Sequence, residues 1–202
     1  MPNWTSLQNR LATSDLVADC TYFDGASSFF ANFGAVWRDT KYQVLKLETR
    51  QEYQQPDNES YVAFTRGDLR RSMQLLDESV AGDRELYASL RDRGVDFIRC
   101  RPISKPMSPY LAWEMQHYEF NSREGERIYC CDLNHVGNIF DQRAKHDFMV
   151  FDSSVAVIHN YDSSGGIAGG WMTRDEEKIS ILQSLFIEIK SHCSPFTMFF
   201  GA

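Results

Sequence analysis

The sequence predicts an α+β (mixed α/β) protein with a single domain, in which a sheet of about four to six strands is flanked by helices. Three observations favour this class. Apolar residues at helical spacing dominate the first half, short β-rich segments follow Gly94, and an amphipathic helix closes the chain. A chain of 202 residues, 43% of them hydrophobic, suits one domain and can bury a core without disulfide bridges.

The first half of the chain is predicted to be mainly helical. Residues 1–24 combine apolar residues at helical spacing with a following loop signal, and we expect them to form an N-terminal arm ahead of a domain spanning 25–202. Aromatic and aliphatic residues then recur every three or four positions, which predicts one or two helices running to about Tyr53. A later helix is expected to end at Gly94, because glycine suits the position after a helix.

The segment after Gly94 predicts a strand followed by a helix rich in aromatic rings. "VDFIRCR" alternates in the manner of a strand, and a connector with three prolines follows it. Ser108 is a good N-cap and Pro109 suits the first helical position. The helix that they begin is expected to end near Asn121.

Further strands and a closing helix are predicted in the last third. Residues 128–133 are β-rich, and "HDFMVFD" and "SSVAVIHNYD" predict a hairpin with two small polar residues at its turn. "SSGGIAGGWMT" indicates a tight turn and a strand weakened by glycine. Thr173 and Glu176 have the T-x-x-E spacing of a capping box, which predicts the start of the last helix.

Charge and cysteine content exclude several classes of function. The formal net charge is −7, from 21 basic and 28 acidic residues, which disfavours non-specific binding to nucleic acid or to anionic membranes. No apolar run approaches the roughly 20 residues of a membrane span, and the N-terminus lacks the pattern of a signal peptide. Five cysteines without a CxxC motif favour reduced thiols. We therefore expect a cytoplasmic protein without a metal or another cofactor.

The helix rich in rings and the strand before it hold the first candidate site. Tyr110, Trp113 and Glu114 share one helical face, and Arg99 and Arg101 alternate on the preceding strand. An arginine of the strand is expected to form a charge-assisted pair with the half-buried glutamate. Two interpretations follow, namely an ion pair that stabilises the fold under aromatic cover, and a ligand pocket with aromatic walls.

Histidines in the β-rich half form a second candidate site. His146 or His159 could act as nucleophile or proton carrier, with Asp147 or Asp152 orienting it. "KHDFMVFD" resembles the H-x-K-x4-D motif of the phospholipase D superfamily, which implies phosphodiester hydrolysis or group transfer. The chain departs from that motif, because Phe148 stands at the lysine position and the aspartate comes one residue early.

Five blocks together resemble a known family. They are "LETRQEY", "GVDFIRCRPISKPMSPYLAWE", "NSREGERI", "HDFMVFDSSVAVIHNYDSSG" and a closing helix before Pro195. In this order they are similar to an uncharacterised domain family of small, mainly actinobacterial proteins, over about residues 30–196. The resemblance implies a reduced relative of the phospholipase D architecture and no assigned reaction. Met149 stands where the family usually has tryptophan, and the N-terminal arm is additional.

These observations lead to one functional expectation and one alternative. We expect a regulatory, non-catalytic module that binds a protein partner or a small anionic ligand, with arginines holding the anion and rings stacking on it. The alternative is an enzyme with a phospholipase D-like fold, a phosphodiester hydrolase or a group transferase of natural-product biosynthesis, acting through the histidines and aspartates above. The expected binding residues are Glu48, Arg50, Tyr53, Arg99, Arg101, Tyr110, Trp113, Glu114 and Glu126.

Overall fold

The described part of the chain forms one mixed, eight-stranded sheet with helices on both faces. The computed structural model describes residues 13–55, 57–140 and 147–199. The strand order is β1-β7-β6-β5-β2-β3-β4-β8; β2, β3 and β4 run parallel, and every other neighbouring pair is antiparallel. The strands are β1 (Thr21–Asp24), β2 (Gln43–Leu47), β3 (Asp96–Ile103), β4 (Arg127–Asp132), β5 (Phe148–Phe151), β6 (Val155–Tyr161), β7 (Ile167–Thr173) and β8 (Ser194–Pro195).

The helices of the described residues cover the two faces unequally. One face carries α6 and α7, and the other carries α2, α4 and α5. No helix in the described ranges has the length and apolar character that crossing a membrane requires. The helices are α1 (Thr13–Val17), α2 (Ala26–Asp39), α3 (Glu59–Thr65), α4 (Leu69–Asp92), α5 (Pro109–Glu124), α6 (Leu133–Phe140), α7 (Glu176–Ser191) and α8 (Phe196–Phe199).

The predicted α+β class is confirmed, but the sheet is larger than the four to six strands expected. Three strands were not predicted, and two of them, β1 and β8, are edge strands of four and two residues, too short to show an alternating pattern. The β1 strand pairs with β7, so the last residues of the expected N-terminal arm belong to the sheet. Residues 1–12 of that arm lie outside the described residues.

The prediction of helix up to Tyr53 is wrong for Gln43–Leu47, which forms the central strand β2. This strand lies between β5 and β3, and Val44, Leu45 and Leu47 are buried. A strand that is covered on both faces lacks the apolar–polar alternation that marks a strand in a sequence.

Helix caps explain where α5 and α7 begin. Ser108 caps α5 as predicted, because its hydroxyl accepts a hydrogen bond from the Leu111 N–H. The predicted capping box of α7 is wrong. Its cap is Asp175, whose carboxylate accepts from the Lys178 N–H, while Thr173 is the last residue of β7.

The face of the sheet under α2, α4 and α5 changes from apolar to charged along the strands. Val44 pairs with Phe97 on β3 and with Phe151 on β5, and these side chains pack with α2. Two residues further along β2, Lys46 pairs with Arg99 on β3. Because alternate residues of a strand share a face, the charges begin where the apolar layer ends. The candidate site lies at this boundary.

Candidate ligand-binding site

A chain of ion pairs centred on Arg99 forms the polar floor of the site. The Arg99 guanidinium contacts Glu126 at 2.5 Å (Nε–Oε1) and 3.2 Å (Nη2–Oε2), and Glu48 at 2.7 Å (Nη1–Oε2). The other oxygen of Glu48 lies 2.8 Å from Lys46 Nζ. Arg99 is 7% exposed and Glu126 is 2% exposed. Buried charges are tolerated when they are paired and hydrogen-bonded, and each member of this chain is.

The second strand arginine, Arg101, forms the ion pair with the ring-rich helix. Its Nε and Nη2 donate to Glu114 Oε2 at 3.1 and 2.8 Å, and its Nη1 donates to the backbone carbonyls of Glu48 and Arg50. Tyr110 donates its hydroxyl to the other oxygen of Glu114 at 2.9 Å. Arg101 is fully buried, so it orders the segment after β2 and cannot touch a ligand directly.

A buried carboxylate without an ion pair lies at the start of β5. Asp147 is 1% exposed and accepts hydrogen bonds from the Thr49 backbone (2.6 Å), the Thr49 hydroxyl (3.0 Å), Tyr161 (2.8 Å) and Tyr53. Its backbone carbonyl lies 3.2 Å from Nδ1 of His159. All four donors to the carboxylate are neutral groups, which leaves its charge without a neighbouring cation among the described residues.

A cavity of about 350 Å³ lies between this floor and the covering helices. Its aromatic wall consists of side chains from α2, α4 and the apolar part of the sheet, and its polar wall carries hydroxyl, amide, imidazole and charged groups. The aromatic wall comprises Phe30, Phe33, Trp37, Leu86, Phe97, Met149 and Ile167. The polar wall comprises Lys46, Glu48, Tyr53, Gln55, Asp83, Tyr87, Arg99, Tyr110, Asn121, His159 and Tyr161.

One glycine allows α2 to approach the sheet beside the cavity. Gly170 pairs with His159 across β6 and β7. A Cβ atom at this position would lie 2.3 Å from Phe29 Cε2 and 2.6 Å from the Ile158 carbonyl oxygen. Phe29 therefore packs directly over the strand and meets the His159 ring edge-on, with ring centroids 5.4 Å apart.

Electrostatics keep Glu48 ionised and His159 neutral. Burial raises the pKa of Glu48, but the neighbouring Arg99 and Lys46 outweigh it and hold the pKa well below its usual value. Burial lowers the pKa of His159, and the charge of Asp147 only partly opposes this effect. At neutral pH the site therefore presents a carboxylate that is already paired and an uncharged imidazole.

The structure brings part of the predicted site together around the cavity. Glu48, Tyr53, Arg99, Tyr110 and His159 line it. A second group stands behind the walls and touches lining residues; its members are Arg50, Arg101, Glu114, Glu126 and Asp147. Arg50, for example, lies with its guanidinium carbon 4.8 Å from the centre of the Tyr161 ring.

Two predicted site residues lie elsewhere and have structural roles, and a third cannot be placed. Trp113 is 2% exposed and donates its indole N–H to the Ser60 hydroxyl at 3.0 Å, which fixes α5 against α3. Asp152 accepts from three consecutive backbone N–H groups, from Lys41 to Gln43, and so ties the β5–β6 turn to the start of β2. His146 lies outside the described residues.

Several cavity residues were missed in the sequence. Lys46 stands between Leu45 and Leu47, and a single cation inside an apolar strand was a signal for a charged site. Tyr161 lies at the end of the β-rich segment "SSVAVIHNYD", and its local pattern predicts only a strand. Asp83 and Asn121 are ordinary polar residues of helices, and nothing in their local pattern points to a cavity.

The fold and the site define an α+β protein with a mixed sheet and a cavity lined by both rings and charges. Residues 31–201 match the family described as "Domain of unknown function (DUF6879)", and the chain belongs to that family. The expected membership in an uncharacterised domain family is thereby confirmed.

Solved structures include distant matches to this chain. The chain is similar to TrmBL2, described as an archaeal chromatin protein with a novel mode of DNA binding, with a TM-score of 0.49 and 8% sequence identity. The similarity covers 89% of this chain and 54% of that one, so the chain spans about half the length of that structure. No curated protein matches the sequence.

Proposed function

We propose that this chain is a regulatory, non-catalytic module of the bacterial cytoplasm that binds a small molecule in the cavity between α2, α4, α5 and the sheet. The observation that carries the proposal is the composition of this cavity, with rings on one wall and an ordered set of polar groups on the other. Small-molecule sites have the same combination, and their volumes run from about 300 to 1,000 Å³. The family resemblance supports an actinobacterial origin.

The state of the charged groups favours binding over catalysis. Arg99 already contacts two carboxylates, and Glu48 contacts both Arg99 and Lys46. A group that is held by two partners of the chain itself is suited to fix the shape of a pocket. It is poorly suited to take up and release a proton during a reaction cycle. The same contacts weaken the expectation that the arginines bind an anionic ligand, because the guanidinium groups are already paired with carboxylates of the chain.

His159 is the observation that favours an enzyme as the second candidate. Its Nδ1 lies 3.2 Å from the Asp147 carbonyl oxygen, so the imidazole donates from Nδ1 and keeps a lone pair on Nε2. A neutral imidazole in a cavity can act as a general base. Phospholipase D-like chemistry also needs a cation two residues after the histidine, and Tyr161 stands at that position. A proton-transfer role is therefore better supported than phosphodiester cleavage.

A protein partner remains the other proposed occupant of the same region. Phe30 lines the cavity and is 45% exposed, so a partner could insert a side chain at this point. The acidic net charge of −7 disfavours a nucleic-acid partner.

Co-purification tests the proposed function directly. The full chain, purified without denaturation, is expected to release a small molecule that untargeted mass spectrometry detects. Leu86→Trp adds a large ring to the cavity and is expected to abolish this signal. Leu75→Trp is the matched control, because it changes a half-buried leucine of the same helix outside the cavity. Equal amounts of the same molecule in both variants would contradict the proposal.

A turnover assay separates the enzyme from the binding module. Bis(p-nitrophenyl) phosphate is a general probe for phosphodiester cleavage, and we expect no hydrolysis above the buffer rate. Incubation of a co-purified molecule with fresh protein is expected to return it unchanged. Conversion that His159→Gln abolishes would establish the enzyme instead.

A further inference from the structure

We infer that the ligand of the cavity is a small organic cation, an ammonium group carried on an aromatic or hydrocarbon body. This inference rests on the proposed function, since it assumes that the cavity holds a small molecule. It replaces the anion expected from the arginine content with a ligand of opposite charge.

The charges around the polar wall do not balance. Among the described residues, the polar wall and the groups directly behind it contain four cations and five carboxylates. The cations are Lys46, Arg50, Arg99 and Arg101; the carboxylates are Glu48, Asp83, Glu114, Glu126 and Asp147. Asp147 accepts hydrogen bonds from four neutral donors, and Arg50 stacks on Tyr161 without a carboxylate partner among the described residues. These two charges offset each other, so Asp83 is the carboxylate in excess.

One of these carboxylates lines the cavity without a partner. Asp83 of α4 is an exposed residue at the cavity wall, and no described residue forms an ion pair or hydrogen bond with its side chain. Partial burial, and then the charge of Glu126, raise the pKa of Asp83. A cation that enters the cavity beside Asp83 would stabilise its ionised carboxylate.

The aromatic wall suits a cation with an apolar body. Phe30, Phe33 and Trp37 from α2 face Tyr87 from α4 around the same space. The faces of aromatic rings carry negative charge and attract ammonium groups within about 6 Å. An anion would meet the same rings unfavourably, and it would have to displace Glu48 or Glu126 from Arg99.

Asn121 adds an unpaired amide to the polar wall. The residue is 9% exposed and lines the cavity, and its side chain has no hydrogen-bond partner among the described residues. Buried amide groups in folded proteins are normally hydrogen-bonded. The amide oxygen can accept from an ammonium N–H, which would satisfy both groups.

A pair of probes with equal size and opposite charge tests the inference. Phenethylamine and 3-phenylpropionate share a phenyl ring on a short chain, and they carry an ammonium and a carboxylate at pH 7. Isothermal titration calorimetry at low salt is expected to show binding of phenethylamine at least tenfold tighter than binding of 3-phenylpropionate. Leu86→Trp is expected to abolish binding of the amine.

The contribution of the unpaired acid is measured with a matched pair of variants. Asp83→Asn is expected to weaken phenethylamine binding roughly fivefold, which corresponds to a partly exposed ion pair. Asp92→Asn removes the same charge from an exposed position on the same helix away from the cavity, and it is expected to leave the affinity unchanged.

The outcomes distinguish this inference from the proposed function. Tighter binding of 3-phenylpropionate, blocked by Leu86→Trp, would overturn the cation inference and leave the binding module standing. Binding of neither probe, or an equal loss in both aspartate variants, would also overturn the inference. The proposed function falls separately, on the co-purification result.

Discussion

Replacing Arg99 with methionine removes the central cation of the polar floor while keeping most of the side-chain length. Glu126 and Glu48 are then left 2% and 9% exposed without the guanidinium that neutralises them. Removing one member of a buried ion pair costs about 3–5 kcal/mol, because the remaining charge stays desolvated. We expect Arg99→Met to lose this much of the free energy of unfolding at pH 7, measured by urea denaturation followed by circular dichroism.

The pH dependence of this loss provides a second readout. In the native protein Arg99 helps to hold the pKa of Glu48 below its unfolded value, so the pair stabilises the fold above about pH 4.3 and this contribution is lost as the pH falls further. Without Arg99 the opposing effect of burial gains weight and the pKa of Glu48 rises. The deficit of Arg99→Met is therefore expected to be largest at neutral pH and to shrink towards pH 4.

An exposed ion pair supplies the control. Arg123 contacts Glu119 one helical turn away, with side chains 67% and 55% exposed, and such pairs contribute about 0–1 kcal/mol. Arg123→Met should lose no more than that at either pH. The buried network does not stabilise the fold in this way if Arg99→Met loses no more than this control, or if its deficit grows as the pH falls. If Arg99→Met does not fold, Glu48→Gln, which keeps the Arg99–Glu126 contact, allows the same comparison.

Three other predictions use the same unfolding assays. Tyr161→Phe removes a 2.8 Å hydrogen bond to the buried Asp147 carboxylate and should cost about 1.5–3 kcal/mol; an unchanged midpoint would show that water replaces the hydroxyl. Gly170→Ala should cost about 1–3 kcal/mol because its Cβ would lie 2.3 Å from a ring carbon of α2, whereas Gly137→Ala, with no atom within 4 Å, should be neutral or stabilising by up to about 1 kcal/mol. Burial, and after it the charge of Arg99, lowers the pKa of His117 to about 4. As the pH drops below about 6.5 the unfolded chain takes up a proton at this residue before the folded chain does, so the stability of the fold decreases. Between pH 7 and pH 5 the melting temperature of His117→Gln should therefore fall less than that of the unchanged protein, and an equal fall would contradict this.

The elements that were predicted correctly are those whose signals are local. The cap and proline at the start of α5 and the hairpin of β5 and β6 depend on neighbouring residues only. The central strand β2 was missed because burial on both faces removes its alternation, and its pairing with β3 and β5 joins distant parts of the chain. Local patterns predict whether a segment forms a helix or a strand more reliably than they predict which strands will pair with it.

The candidate site was predicted in part for the same reason. Spacing alone placed Tyr110 and Glu114 on one face of α5 and the arginines on the strand before it. Spacing alone could not assign the ion-pair partners. In the structure Glu114 pairs with Arg101, and Arg99 pairs with Glu48 and Glu126. The choice of partner depends on the register of the three parallel strands. The residues of one strand do not determine that register.

The walls of the cavity come from segments between Phe30 and Ile167, so no short fragment of the chain contains the site. The pocket therefore exists only when the sheet is complete. A molecule that binds in the pocket stabilises the folded domain as a whole, and this stabilisation grows with the logarithm of the ligand concentration above the dissociation constant. Any occupant, whatever its chemistry, can therefore be detected as a rise in melting temperature of the intact chain, before its identity is known.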